Sequence, residues 1–158
     1  MAILAGFDVH RAQITFDALD TDTGEVLRGR VRGDRDAVSE WMRQFAGEHV
    51  EVAVKACTGW LFVYEQLAAA GAVVHLAEPA ETSALRGKKR HAKTDRADAR
   101  WLRTLLAEGR LPEAWIPPAH VREWRTQTRL RKTLIDERTS WLQRIQATLF
   151  ASRHRQRP

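Results

Sequence analysis

Residues 2–9 read AILAGFDV, a run that is apolar except for Asp8. A strand exposed on one face alternates apolar and polar side chains, whereas a strand covered on both faces is apolar throughout, so this stretch predicts a central, buried strand. A carboxylate in such a setting is costly unless a cation or donors compensate it, or unless it lies at the strand end and accepts from a turn. Next along the chain come AQITFDAL at 12–19, the turn-forming TDTG at 21–24 and EVLRGRVR at 25–32. Together with the first strand they predict a meander of three antiparallel strands.

Further along, Asp34 or Asp36 is placed to cap a helix through about Phe45, with Val38, Trp41, Met42 and Phe45 as its apolar stripe. VEVAVKAC at 50–57 predicts a fourth strand, and TGW at 58–60 opens a helix through Leu61, Val63, Tyr64 and Leu67 that stops at Gly71. AVVHLA at 72–77 predicts a fifth strand. A helix from Pro79 to Leu85 runs into the basic RGKKRHAK at 86–93, and another begins near Thr94. Hairpin-connected strands followed by α/β crossovers imply an α/β fold: a mixed five-stranded sheet with helices on both faces.

Beyond residue 111 the pattern changes. LPEAWIPP at 111–118 reads as a rigid connector, because Pro117 and Pro118 disfavour helix before them and set up a helix start after them. No Pro or Gly interrupts residues 119–150, where Leu134, Trp141, Leu142, Ile145 and Leu149 recur at roughly helical spacing. A helix of that length either finds a partner helix for its apolar stripe or folds back on its own sheet. The basic tail, within 151–158, is expected to fray. The expected domain organisation is therefore 1–111, a connector at 112–118, a long helix at 119–150 and the tail.

The chain has 158 residues, 44% of them hydrophobic, which is enough for a real core. No apolar run approaches the roughly 18 residues of a membrane span, and the start lacks the pattern of a signal peptide, so no membrane partner is expected. A single cysteine, Cys57, fits a reducing cytoplasm. The net charge of +6 conceals a division: residues 1–81 carry 7 Lys/Arg against 13 Asp/Glu, and residues 82–158 carry 19 against 7. A basic half of +12 beside an acidic half of −6 is the footprint of something that holds a polyanion, most often nucleic acid.

That basic half contains HAKTDRADAR at 91–100. Thr94 is a good N-cap, and Asp95 and Asp98 then share one helical face near the positive end of the dipole. If that face meets the end of the first strand, Asp8, Asp95 and Asp98 converge, and such a cluster repels itself unless divalent metal is bound. Oxygen-only ligands select a hard cation such as Mg²⁺ or Mn²⁺. Two such ions about 4 Å apart would activate the attacking oxygen of a phosphodiester cleavage and stabilise the leaving one. Arg86, Lys88, Lys89, Arg90, Lys93 and Arg96 would bind the strand being cut. The six histidines show no metal-ligand spacing, and His75 reads as a packed or edge residue. Trp41 and Trp60 read as core. Packing is also favoured for Trp115 and Trp124, with stacking on bases as the alternative. Cys57 reads as buried and inert.

GFDVHRAQITFDALD at 6–20, ACTGW at 56–60, HLAEPAETSALRGKKRHAKTDRADAR at 75–100 and GRLPEAWIPP at 109–118 together resemble the N-terminal RuvC-like domain of the DEDD transposases. These are insertion-sequence recombinases with a ribonuclease H-like fold, guided by a bridge RNA. The resemblance covers nearly the whole chain. It implies transposition through metal-dependent DNA strand cleavage in a bacterial, nucleoid-associated cytoplasmic setting. Asp8, Asp95 and Asp98 match three of the family's four acidic metal ligands. The fourth, a glutamate, is matched by Lys55 in VAVKACTGW, and Glu51 lies four residues away, about 13 Å along a strand. Lys55 is therefore expected to weaken or abolish Mg²⁺ or Mn²⁺ binding and to impair cleavage. The resemblance also implies a following domain with a catalytic serine, so a truncated or fragmentary transposase is expected. Its partners would be DNA, a bridge RNA and a second copy of the chain through the long helix. The alternative is a catalytically inactive nucleic-acid-binding and dimerising fragment. Sugar kinases and actin-like ATPases begin with a similar strand and aspartate, but DVHRAQ at 8–13 lacks the glycine their phosphate loops need.

Overall fold

In the computed structural model the opening apolar run forms β1 (Ala2–Val9), the central strand of a five-stranded sheet. β2 (Gln13–Asp20) and β3 (Val26–Arg32) follow as antiparallel neighbours on one side. On the other side β4 (His49–Lys55) runs parallel to β1, and β5 (Val73–Ala77) runs parallel to β4. The resulting order, β3-β2-β1-β4-β5, is the mixed sheet of a ribonuclease H-like fold. Residues 2–87 and 94–155 are described, as two units, Met1–Trp115 and Ile116–Pro158. Lys88, Lys89, Arg90 and Lys93 lie outside the described residues.

Side chains alternate between the two faces of a strand, and the two faces here are covered differently. Phe7, Phe16 and Val52 point toward α1 (Arg35–Arg43) and α2 (Trp60–Ala69), where Trp41 and Leu67 are fully buried. Asp34 caps α1, its side chain accepting from Ala37 N at 2.8 Å. α2 ends against Gly71, whose φ of +90° is the left-handed geometry that a glycine after a helix supplies. Phe7 and Trp41 meet edge to face with ring centroids 4.7 Å apart. This is the main core.

The opposite face carries Gly6, Asp8, Thr15, Asp17, Ala53 and Lys55. It is covered by α4 (Asp95–Ala107) over a thin apolar layer of Ala53, Ala77 and Leu102, and α3 (Pro79–Ala84) is tied to α4 where Trp101 Nε1 donates to Thr82 O at 3.0 Å. Gly6 sets the depth of that packing: a Cβ there would run into the carbonyl oxygen of Ala99 and come within 2.6 Å of Arg103 N. The backbone of α4 therefore lies directly on β1. Asp17 is buried under the same helix and accepts from Arg103 of α4 and, at 2.7 Å, from Arg28 of β3. Buried charge in this position holds the helix in register on the sheet, because losing one partner would strand another in a poorly solvated place.

After α4 the chain returns along the outer edge of the sheet. Glu78 N donates to Pro112 O at 2.9 Å and Ala114 N to Leu76 O at 2.7 Å, with Ala77 and Glu113 bridged. The first half of the expected connector thus covers the β5 edge instead of hanging free, a short pairing that satisfies exposed backbone groups. In the second unit α5 (Ala119–Arg155) is one uninterrupted helix of 37 residues. It continues through residues 151–155, where a frayed tail was expected, because Ala151, Ser152 and the arginines contain no helix breaker before Pro158. Its apolar side chains are exposed, including Leu134, Ile135, Trp141, Leu142, Ile145 and Leu149. Trp115 and Trp124 are also exposed, at 63% and 64%, contrary to the packing expected for them. Neither lies on a patterned buried face, and the Trp124 ring meets His120 edge on, with ring centroids 5.5 Å apart.

Candidate functional site

The C-terminal ends of β1 and β4 and the first turn of α4 meet on the polar face of the sheet. Asp8 is the last residue but one of β1 and is almost wholly buried. Thr94 caps α4 by accepting from Ala97 N at 3.2 Å, which fixes the helix start and aims Asp95 and Asp98 at the strand end. Because α4 rests on Gly6, two residues before Asp8 on the same face, those aspartates reach the cluster. Lys55 closes β4 on the same face, its Nζ 3.9 Å from Asp8 Oδ1 and 3.4 Å from Asp98 Oδ2.

The expected residues are therefore brought together, though not in equal company. Asp98 is held on both oxygens: Lys55 engages Oδ2, and the Arg86 guanidinium engages Oδ1 at 2.6 Å while also donating to Ala97 O at 2.9 Å. Arg86 also stacks over the Trp101 ring at 5.8 Å from its centroid. This arginine, expected to contact nucleic acid, thus lies within the acidic cluster. Arg96, the other described member of that set, is exposed on α4.

His10 joins the cluster, and reading the histidines for metal-ligand spacing among themselves missed it. Its Nε2 lies 3.1 Å from Asp8 Oδ2 and 3.3 Å from Asp95 Oδ1. Gln13 Nε2 donates to the other oxygen of Asp95 at 3.4 Å. The signal was in the sequence: in DVH, positions i and i+2 of an extended chain point to the same side. Asp8, His10 and Asp95 each offer an atom within 4.8 Å of the others, the arrangement among the described residues that could hold a metal ion.

Burial pushes the Asp8 carboxyl above its ordinary range, against the opposing pull of the Lys55 ammonium and the hydrogen bond from His10, with the nearby Asp98 adding to the rise. Desolvation thus outweighs the neighbouring cations, so any cation that coordinates Asp8 directly relieves a real electrostatic cost.

The remaining residues lie elsewhere. Glu51 sits at the other end of β4, paired with His49 at 3.0 Å and His75 at 3.3 Å, while His75 also meets Glu113 at 2.9 Å. It takes no part in the acidic cluster. Cys57 is partly buried, its Sγ 3.4 Å from Val9 O.

A family model described as a transposase matches residues 5–152 of the chain. No curated protein matches it. No helix among the described residues is long and apolar enough to cross a membrane.

Proposed function

The chain belongs to the DEDD transposase family, and from that premise we propose that its first unit is a RuvC-like domain that binds DNA and whose metal-dependent strand-cleaving site is impaired by Lys55. The observation that carries this reading is the meeting of Asp8, Asp95 and Asp98 at one strand end with an ammonium between two of them. In this reading Asp8, Asp95 and Asp98 are the metal-ligand and catalytic positions, and divalent metal bound there would supply Lewis-acid stabilisation of a phosphodiester undergoing cleavage. Lys55 supplies a fixed positive charge where a carboxylate ligand would stand. A lysine satisfies its neighbours electrostatically but does not coordinate a divalent ion as a carboxylate does, so the site would keep its geometry with impaired chemistry.

Arg96 and the segment with Lys88, Lys89, Arg90 and Lys93 would track the phosphates, with Arg86 joining them if it leaves Asp98. A bridge RNA would be held by the same positive charge. The domain organisation we propose is a nuclease-like unit through about residue 111, a connector, and a long helix over 119–155 that carries the basic end. Self-association would run along α5, supported by Ile135, Leu142 and Leu149, which recur at heptad spacing and are exposed. A non-cleaving, nucleic-acid-binding and dimerising protein is the second reading, favoured by the same Lys55.

Titrating a fluorescent DNA duplex at increasing salt tests the binding. We expect affinity to fall by roughly 10³-fold or more between 50 and 200 mM salt if about six phosphates are contacted. Binding that stays level over that range removes the phosphate-tracking role.

A further inference from the structure

Asp8 turns its two oxygens to two different neighbours. Oδ1 faces the Lys55 ammonium at 3.9 Å, and Oδ2 faces the His10 imidazole at 3.1 Å. Lys55 therefore closes one half of the cluster and leaves the other half open. Asp98 lies on the closed side, and both of its oxygens are engaged by cations of the chain. On the open side stand Asp8 Oδ2, His10 Nε2 and Asp95 Oδ1.

We propose, resting on the reading of this cluster as the family's metal site, that this chain binds a single divalent transition metal through Asp8, His10 and Asp95, with His10 as a ligand, instead of a pair of Mg²⁺ ions. The contacts of 3.1 Å and 3.3 Å about His10 suit an ion that sits about 2.0–2.2 Å from each donor, since two donors around one ion are then separated by roughly 3–4 Å. An imidazole nitrogen among the donors moves the preference from Mg²⁺, which demands oxygen, toward Mn²⁺ and later metals. A second ion would need Asp98, and seating it there means displacing both Lys55 and Arg86.

Two neighbours fit such a centre. Gln13 donates to the free oxygen of Asp95 at 3.4 Å, orienting that carboxylate as supporting residues around metal ligands do. Thr15 stands directly across from Asp8 on the same face of the sheet. Its hydroxyl is buried and without a hydrogen-bond partner among the described residues, an orphan of the kind that an ion's water satisfies. The His10 side chain is 51% exposed, which gives an ion access from solvent.

Calorimetric titration of the full chain with Mn²⁺ and separately with Mg²⁺ tests this. We expect one tight Mn²⁺ per chain and Mg²⁺ weaker by roughly tenfold or more. His10→Ala should lower Mn²⁺ affinity by roughly tenfold or more and leave Mg²⁺ unchanged. His10→Asp, which makes the donors all oxygen, should bring the two metals close to equal. Thermal melts of both variants establish that they fold. Broadening of the His10 ring signals by substoichiometric Mn²⁺ would place the ion beside the imidazole. Two tight ions per chain, equal affinity for the two metals in the parent, or a His10→Ala protein that titrates like the parent would each overturn the proposal. None of these readouts involves nucleic acid, so failure here leaves DNA binding standing, and salt-independent DNA binding would leave this metal site standing.

Discussion

On one face of the sheet Phe7, Phe16 and Trp41 meet at close, tilted and edge-on angles and are almost wholly buried. On the other face, residues adjacent to these in sequence, Gly6, Asp8, Thr15 and Asp17, support a helix over a thin apolar layer and hold ion pairs. Both faces are written into the same strands, one residue out of phase. The apolar face gains its stability from area and packing, which act in no particular direction. The polar face gains less from area, and what it has instead is direction: Asp8 and Lys55 are placed by strand ends, and Asp95 and Asp98 by a capped helix start on a helix that rests on Gly6. Such a division lets a domain carry a cluster of poorly solvated charges, because the stability comes from the far side of the same backbone.

Truncating the centre of the apolar face should have the largest effect. Trp41→Ala is expected to cost about 3–5 kcal/mol in denaturant unfolding, whereas Leu102→Ala on the thinner face should fall at about 2–3 kcal/mol, the low end for buried leucines. Equal losses at the two positions would break the distinction. Next comes Gly6→Ala, where the added Cβ meets the α4 backbone. It is expected to destabilise by about 1–3 kcal/mol and to weaken Mn²⁺ binding as well, because the helix it lifts carries Asp95. Stability loss without any change in metal binding would show that the helix position does not set the site.

A smaller effect is expected at Asp8 itself. Its carboxyl is held above the ordinary range by burial, so ionising it opposes folding. The stability it contributes is fully present below the unfolded-chain value of about 3.9 and is lost as pH rises through the folded value. In chelator, Asp8→Asn should therefore melt higher than the parent at pH 7, with the gap closing toward pH 4. A variant that melts lower at pH 7 would mean that Lys55 and His10 outweigh the burial.

The fold was legible because its signals are local and periodic. A nearly unbroken apolar run marked β1 as central, Asp34 or Asp36 and then Thr94 announced helix starts, which caps by Asp34 and Thr94 realise, and Gly71 marked the end of α2. The acidic cluster was legible in part, through Asp95 and Asp98 on one face of a capped helix. Its cations were less so. Lys55 was identified by likeness to a family pattern, and nothing local to it speaks of Asp8. Arg86 reaches Asp98 from 12 residues away in sequence, a spacing that marks no shared face of one helix or strand. Asp17 escaped notice because TFDAL reads as an ordinary alternating strand, and its partners Arg28 and Arg103 come from a neighbouring strand and a helix 86 residues away. The exposed Trp115 and Trp124 show the limit of residue-type preference, since a tryptophan off a patterned face carries no information about burial.

We propose that Lys55 stands where a metal ligand would and neutralises the acids in its place. Calorimetric titration of the parent and of Lys55→Glu with Mg²⁺ or Mn²⁺, side by side under the same buffer, tests it directly. A carboxylate at position 55 should raise affinity by about tenfold or more, on the order of 1.4 kcal/mol. Superimposable titrations of the two proteins would show that position 55 is not a metal-ligand position.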